Sequence, residues 1–310
     1  MTRALIFSLA CAIGCGGSDE EQPAADVVDA SGETAVHDGG DDVSDTAGDT
    51  SADAVAETDS ATSSRCTITE TTVACTHTVT PLKASPAITR DVYWQTPLTA
   101  RPAKGYPAVI VYQGSFAGPA LTWATLSKST PFGGFYQGVL HARLLDNGFT
   151  VIAPTAAAGV AWQTNNGAPW ESTSDHTFIN QLLVEIEKGT YGPVDLTRLY
   201  ATGISSGGYM TSRMAVSYAG RFRALAVNAG SYATCAGSIC NIPDKLPADH
   251  PPTLFLHGEK DATVPIATMR PYPEKLTAQG VAAASVIDPS AGHEWLSVSP
   301  ERITDWFLKH

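Results

Sequence analysis

The sequence predicts an α/β fold, a mostly parallel sheet with helices on both faces, carried by residues 65–310 of a 310-residue chain. Three observations lead there. Short apolar runs alternate along this stretch with longer runs of helical period, the pattern of strand–helix–strand units. The composition changes abruptly near residue 65, from an acidic segment without aromatic residues to one rich in Val, Leu, Phe, Tyr and Trp. At residues 203–207 the chain reads Gly203-Ile204-Ser205-Ser206-Gly207 between an apolar run and a helical one. That is the G-x-S-x-G turn, which holds a serine on a sharp bend between a strand and a helix.

In chain order, the first strands are expected at Cys66–Thr78 and Arg90–Trp94. No helical stretch separates them, so they should be antiparallel. Ala108–Tyr112 (Ala-Val-Ile-Val-Tyr) is continuously apolar, as a strand buried on both faces must be. Thr150–Ala153, Leu199–Thr202, Ala224–Asn228, Thr253–Leu256 and Ala283–Ile287 complete the sheet. Helical spacing predicts helices over Gly134–Asp146, Thr177–Glu187, Gly208–Tyr218, Thr268–Ala278 and Pro300–Leu308. Gly220 stops the third of them, and Ser299-Pro300-Glu301 supplies a capping hydroxyl, a first-turn proline and an acid for the last. Asp175 reads as an N-cap.

Ahead of this body, Met1–Gly14 has one basic residue (Arg3), an apolar stretch Ala4–Leu9 and small residues before a cysteine. That is a short secretory signal. Ala12-Ile13-Gly14-Cys15 has the form of a bacterial lipobox, in which Cys15 is lipidated and becomes the mature N-terminus. Simple cleavage without lipid is the alternative, and Cys11 fits the pattern less well. Residues 15–64 are then an acidic tether. Gly16–Ser64 holds 14 Asp and Glu, no Lys or Arg and no aromatic residue, and buries too little apolar surface to offset its ordering entropy. The tether explains the net charge of −12, because residues 65–310 carry 18 Lys and Arg against 17 Asp and Glu. A nearly neutral body without a basic patch argues against nucleic acid as partner. No apolar run reaches membrane-spanning length, so the only membrane attachment expected is the N-terminal lipid. The protein is expected to be exported, either as an outer-membrane or cell-surface lipoprotein or as a secreted protein. The four cysteines of the body fall as local pairs, Cys66 with Cys75 and Cys235 with Cys240, which in an exported protein reads as two disulfides. Neither pair has C-x-x-C spacing, so no metal is expected.

The chemistry follows from order along the chain. Ser205, Asp261 and His293 each come directly after an apolar strand and in the sequence Ser…Asp…His, which is the α/β-hydrolase order. Ser205 is the candidate nucleophile, His293 its base, and Asp261 the carboxylate that orients the imidazole. Glu259 and Asp288 compete with Asp261 but suit the strand end less well. An oxyanion site needs two backbone N–H groups. The amide of Ser206 is one candidate. The other comes from the loop Gln113-Gly114-Ser115-Phe116, with Ser115 preferred and Phe116 the fallback. Long loops rich in aromatic residues suggest substrate contacts at Phe116, Trp162, Trp170, Tyr209, Tyr232 and Trp295, although many such rings serve as core packing. The sequence has no H-E-x-x-H, no P-loop and no dinucleotide fingerprint, and no cofactor is expected.

Gly203-Ile-Ser-Ser-Gly-Gly208, His257-Gly-x-x-Asp261-x-x-Val-Pro265 and Gly292-His293-x-Trp295 resemble the polyhydroxyalkanoate depolymerase and feruloyl-esterase group of α/β-hydrolases. Within it, the elbow and the intervals from serine to acid to histidine are most similar to extracellular medium-chain-length polyhydroxyalkanoate depolymerases. The resemblance spans roughly Tyr106 to His310, with Gln113 standing where many relatives have His. It implies hydrolysis of an insoluble aliphatic polyester, or of small acyl esters, with the family's triad falling on Ser205, Asp261 and His293. The lipobox and tether depart from a freely diffusing depolymerase. A feruloyl or acetyl-xylan esterase, a peptidase of the same fold, and a surface-tethered binding protein with an inactive hydrolase body are the competing readings.

Overall fold

A computed structural model describes residues 64–164 and 168–310. The leader, Cys15, the tether up to residue 63, and Asn165 and Asn166 lie outside the described residues. The strands are β1 (Cys66–Ile68), β2 (Thr72–Cys75), β3 (Thr78–Ser85), β4 (Ile88–Gln95), β5 (Tyr106–Tyr112), β6 (Leu126–Ser127), β7 (Thr150–Pro154), β8 (Val194–Ile204), β9 (Ala224–Asn228), β10 (Thr253–Gly258) and β11 (Ala283–Asp288). The helices are α1 (Pro119–Thr122), α2 (Gly134–Asp146), α3 (Ser174–Glu187), α4 (Ser206–Ser217), α5 (Ile266–Met269), α6 (Pro271–Ala278) and α7 (Ser299–Lys309).

Eight strands form the main sheet in the order β11-β10-β9-β8-β5-β7-β4-β3. Strands from β7 through β11 in that order are parallel, and β4 and β3 add to the edge antiparallel. Side chains alternate between faces. Ala108, Ile110 and Tyr112 of β5 join a core under α3 and α4 with Phe178, Leu182, Met210 and Met214. Val109 and Val111 join the opposite core under α2 and α7 with Leu140, Leu144, Ile303 and Phe307. Burying each such aliphatic or aromatic side chain is worth about 1.5–3 kcal/mol, so both faces of the central strands stabilise the sheet. A third cluster, with Phe255, Tyr272 and Leu276, lies beneath α6.

The chain passes from β5 through α2 to β7, then crosses back to β8 on the other side of β5. The segments leaving β5 and β8 therefore lead to helices on opposite faces, which opens a crevice at the strand ends between them.

Several elements differ from the sequence expectation. The run Cys66–Thr78 is not one strand but the hairpin β1–β2, in which Cys66 and Cys75 face each other and are joined by a disulfide. Cys235 and Cys240 form the second disulfide. β3 was hidden by Pro81, which a strand tolerates only where no neighbour needs its N–H; β3 is the last strand of the sheet. The helix expected over Thr268–Ala278 is divided into α5 and α6 at Pro271, which begins the second helix. Thr173, not Asp175, caps α3, its side chain accepting from the His176 amide; Asp175 instead forms a buried ion pair with Arg90. Ser299 does not cap α7: its hydroxyl accepts from the Leu296 amide at 3.1 Å and donates to Asn228 Oδ1 at 3.2 Å.

Candidate active site

Ser205 sits between β8 and α4 with φ 58° and ψ −120°, a conformation that is strained for a residue with a Cβ. Its backbone is held on both sides, the amide donating to Asn228 O at 3.1 Å and the carbonyl accepting from Tyr209 N at 3.0 Å. The second glycine of the motif is a matter of space. A Cβ on Gly207 would lie 2.2 Å from Tyr112 O, so β5 and α4 approach as closely as they do only because this position has no side chain.

Asp261 follows β10 and is buried. Its Oδ1 accepts from the amides of Thr263 (2.9 Å) and Val264 (2.8 Å). Its Oδ2 meets His293 Nδ1 at 2.8 Å and His257 Nε2 at 3.3 Å. Burial opposes ionisation, but hydrogen bonds from His257, His293 and the Val264 amide outweigh it and hold the carboxyl well below the usual carboxylate range. The ionised acid fixes the proton of His293 on Nδ1 and leaves Nε2 free to act as a base. His257 is fully buried at the end of β10, and its Nε2 also lies 2.8 Å from Val264 O, so that nitrogen carries the proton. This second imidazole on the acid went unassigned in the sequence, where it stood only as the first residue of the His257-Gly-x-x-Asp261 run. The competing acids are engaged elsewhere. Glu259 pairs with Arg270 at 2.6 Å, and Asp288 Oδ1 accepts from the Ser290 and Ala291 amides.

Ser205 and His293 line one cavity of about 400 Å³, although no hydrogen bond joins Ser205 Oγ to the imidazole. Such contacts are often long before substrate binds. Ser115 lies on the same cavity. The amides of Ser115 and Ser206 donate to no group among the described residues, and a first-turn helical amide such as that of Ser206 has no acceptor within its helix. The Phe116 amide is already committed to Val160 O at 2.8 Å, which removes it as the fallback donor. A Cβ placed on Gly114 would lie 3.8 Å from Ser205 Cβ, a measure of how near the two loops come. Gln113 sets that approach: it is buried, its Oε1 accepts from Ala156 N at 3.0 Å and its Nε2 donates to Gly159 O at 3.1 Å.

Leu121, Thr122, Leu126, Phe132, Gln137, Ile204 and Trp295 complete much of the cavity wall. Phe116 and Phe132 are 76% and 58% exposed, and both have positive φ, 63° and 58°. The Phe132 ring stands edge-on to His293 with centroids 6.1 Å apart. The next residue, Gly133 (φ 64°), admits no side chain, since a Cβ would lie 2.4 Å from Trp295 O. Of the aromatic residues expected to contact substrate, Phe116 and Trp295 line the cavity. The other four do not, because their rings are spent on packing. Trp162 lies edge-on to Tyr112 and donates to Gln113 O, and Trp170 stands beneath Arg213. Tyr209 OH accepts from Gly237 N, and Tyr232 packs on Tyr272. The cavity residues Leu121, Leu126, Phe132 and Gln137 belong to no motif and went unassigned.

Comparison with solved structures places this architecture among the α/β-hydrolases. A thermostable esterase matches with TM-score 0.58 at 19% identity, over 75% of this chain and 62% of that one. A thermophilic esterase from Thermogutta terrifontis matches with TM-score 0.54 at 15% identity, over 75% of this chain and 91% of that one. No family model matches the chain. The fold is thus that of the α/β-hydrolases. The sequence narrows the assignment: the chain is 48% identical over 241 residues, 77% of this chain and 86% of the relative, to a poly(3-hydroxyoctanoate) depolymerase of Pseudomonas fluorescens. The chain belongs to the poly(3-hydroxyoctanoate) depolymerase family.

Proposed function

We propose that the protein is an exported depolymerase that hydrolyses the ester bonds of a medium-chain-length polyhydroxyalkanoate through an acyl-Ser205 intermediate. His293 Nε2 takes the proton of Ser205 Oγ as the oxygen attacks the ester carbonyl carbon. Asp261 stabilises the resulting imidazolium, and the amides of Ser115 and Ser206 receive the negative charge that develops on the carbonyl oxygen. The C–O bond to the leaving alcohol breaks as His293 returns the proton to it. Water, activated by the same imidazole, then releases the hydroxyacyl product and regenerates Ser205.

The observation that carries the polymer reading is the mouth of the cavity. Phe116, Leu121 and Phe132 all line it and all stay more than half exposed, giving the site an apolar rim suited to an insoluble aliphatic chain. The substrate named for the Pseudomonas relative agrees with it. Two disulfides support export, with residues 1–14 as signal, residues 15–64 as tether and Cys15 as the lipid attachment that would keep the body at a membrane surface. The test uses the full chain on an emulsion of polyhydroxyoctanoate. The wild type should clear it, and Ser205→Ala should reduce turnover about 10⁶-fold, to the level that binding and the oxyanion amides sustain alone. Retained clearing in Ser205→Ala would remove the nucleophile assignment. Release of ferulate from feruloylated sugars without polymer clearing would replace the substrate.

A further inference from the structure

Four carboxamide side chains are buried among the described residues: Gln95, Gln113, Gln137 and Asn228. Three have hydrogen-bond partners. Gln95 donates to Thr76 O and accepts from the Thr96 amide. Gln113 joins Ala156 and Gly159 as described. Asn228 donates to Thr202 Oγ1 and accepts from Ser299 Oγ. Gln137 has none, although it is only 3% exposed. The residue is nearly covered, but its amide nitrogen and oxygen remain accessible, and what they face is the cavity rather than packed core.

Gln137 projects from the first turn of α2 and lines the cavity that holds Ser205 and His293. The hydroxyl of Thr122, 6% exposed on the same cavity, likewise makes no hydrogen bond. The buried wall around them is apolar, with Leu126, Ile204 and Trp295. A cavity of this kind fits an acyl group that is hydrocarbon except for one oxygen. A 3-hydroxyalkanoate unit is such a group: its C3 carries both the alkyl branch and the oxygen, two carbons from the carbonyl carbon that a serine would attack.

We propose that Gln137 is a specificity-determining residue whose carboxamide hydrogen-bonds the C3 oxygen of the acyl unit, as an ester oxygen within the chain or a hydroxyl at its end. Leu126, Ile204 and Trp295 take the alkyl branch. This rests on the polyester reading and adds to it a reason to prefer hydroxyacyl over plain acyl esters. An unbranched acyl ester would leave the amide unpaired in the complex, and that unpaired group is the source of the discrimination.

The experiment compares two soluble probes, p-nitrophenyl 3-hydroxyoctanoate and p-nitrophenyl octanoate, on the wild-type chain and on Gln137→Met and Gln137→Leu. The readout is the ratio of their kcat/KM values, in which general losses of fold or chemistry cancel. The ratio should exceed one in the wild type and fall about tenfold in either variant, the loss expected for one buried hydrogen bond. A ratio unchanged by both substitutions would overturn the proposal, and so would failure of both variants to fold, which would make the amide structural. Polymer clearing by the wild type separates the two levels. Wild type that clears no polyhydroxyoctanoate fails the polyester reading, whereas clearing combined with an indifferent ratio fails only the role of Gln137.

Discussion

The two walls of the cavity are built on different terms. Ser205 stands directly after β8, and Asp261 and His293 lie in the short loops that follow β10 and β11, strands that belong to the parallel half of the sheet. Their backbone and side-chain groups are tied into it: Ser205 N to Asn228 O, Asp261 Oδ1 to two amides, Asp261 Oδ2 to two imidazoles. The facing wall, from Gly114 to Gln137, crosses the short helix α1 and the two-residue strand β6 and carries Phe116 and Phe132 in left-handed backbone with their rings toward solvent. Positive φ occurs on both walls, at Ser205 on the first and at the exposed Phe116 and Phe132 on the second. Reactive groups need fixed geometry, which strand ends supply; contact with a variable, apolar substrate is left to loops on that scaffold.

The sharpest break of this comparison would come from Asp261→Asn. If the chemical wall works as a unit, the asparagine should keep the fold but disorder the imidazole tautomer, lowering kcat on a soluble ester about 10⁴-fold. A second readout is stability against pH. The carboxyl is held below its ordinary value in the folded protein. Its contribution is therefore complete above the unfolded carboxyl's value of about 4 and is lost as pH falls through the lower folded value. Urea midpoints of the wild type should drop on going from pH 6 to pH 3, and those of Asp261→Asn should drop less. Equal acid sensitivity in both proteins would mean that the hydrogen bonds to Asp261 do not stabilise its ionised form.

The facing wall should respond differently and by less. Replacing both Phe116 and Phe132 with Ala removes exposed rings that make few internal contacts, and it relaxes no buried hydrogen bond. Clearing of polymer, relative to hydrolysis of a soluble ester by the same variant, should fall about tenfold, as expected when two partly desolvated aromatic anchors are lost. A parallel fall in both activities would place Phe132, whose ring meets His293, with the chemical groups, and the division between walls would fail.

The same division explains what could be read from sequence. The parallel core was legible because β5, β7, β9, β10 and the Leu199–Ile204 half of β8 are mostly apolar and buried on both faces. The nearness of Asp261 and His293 was legible because each follows a strand inside a local motif. Glycine at 203 and 207 was legible for a spatial reason, the closeness of β5 and α4. The recognition wall was not. Trp162, Trp170, Tyr209 and Tyr232 lie in loops or beside the elbow just as Phe116 does, and nothing local distinguishes a ring packed on Tyr112 or Tyr272 from one facing solvent. What separates them is long-range: the Phe116 amide held by Val160 O, and Phe132 O held by the Trp295 amide, more than a hundred residues away. β3 was lost for the opposite reason, since Pro81 is a local signal against a strand that only its edge position cancels.

The smallest effect concerns how the recognition wall is braced from behind. The β1–β2 hairpin presents Val73 to Leu126 and Phe135, a small cluster of its own, and Leu126 in turn lines the cavity. The Cys66–Cys75 disulfide closes this hairpin at its open end. Its loop is short, so Cys66→Ser/Cys75→Ser should cost about 2 kcal/mol. In a domain of this size that lowers the melting temperature by about 4–8 °C. Because β1, β2 and β6 form a sheet separate from the one that carries Ser205, Asp261 and His293, kcat on a soluble ester at 25 °C should stay within about twofold, the range ordinary for changes remote from the reacting groups. KM for medium-chain esters should rise more than kcat falls if Leu126 loses its backing. A loss confined to kcat would instead show that the hairpin supports the chemical wall, and the two sides of the cavity would then be one mechanical unit.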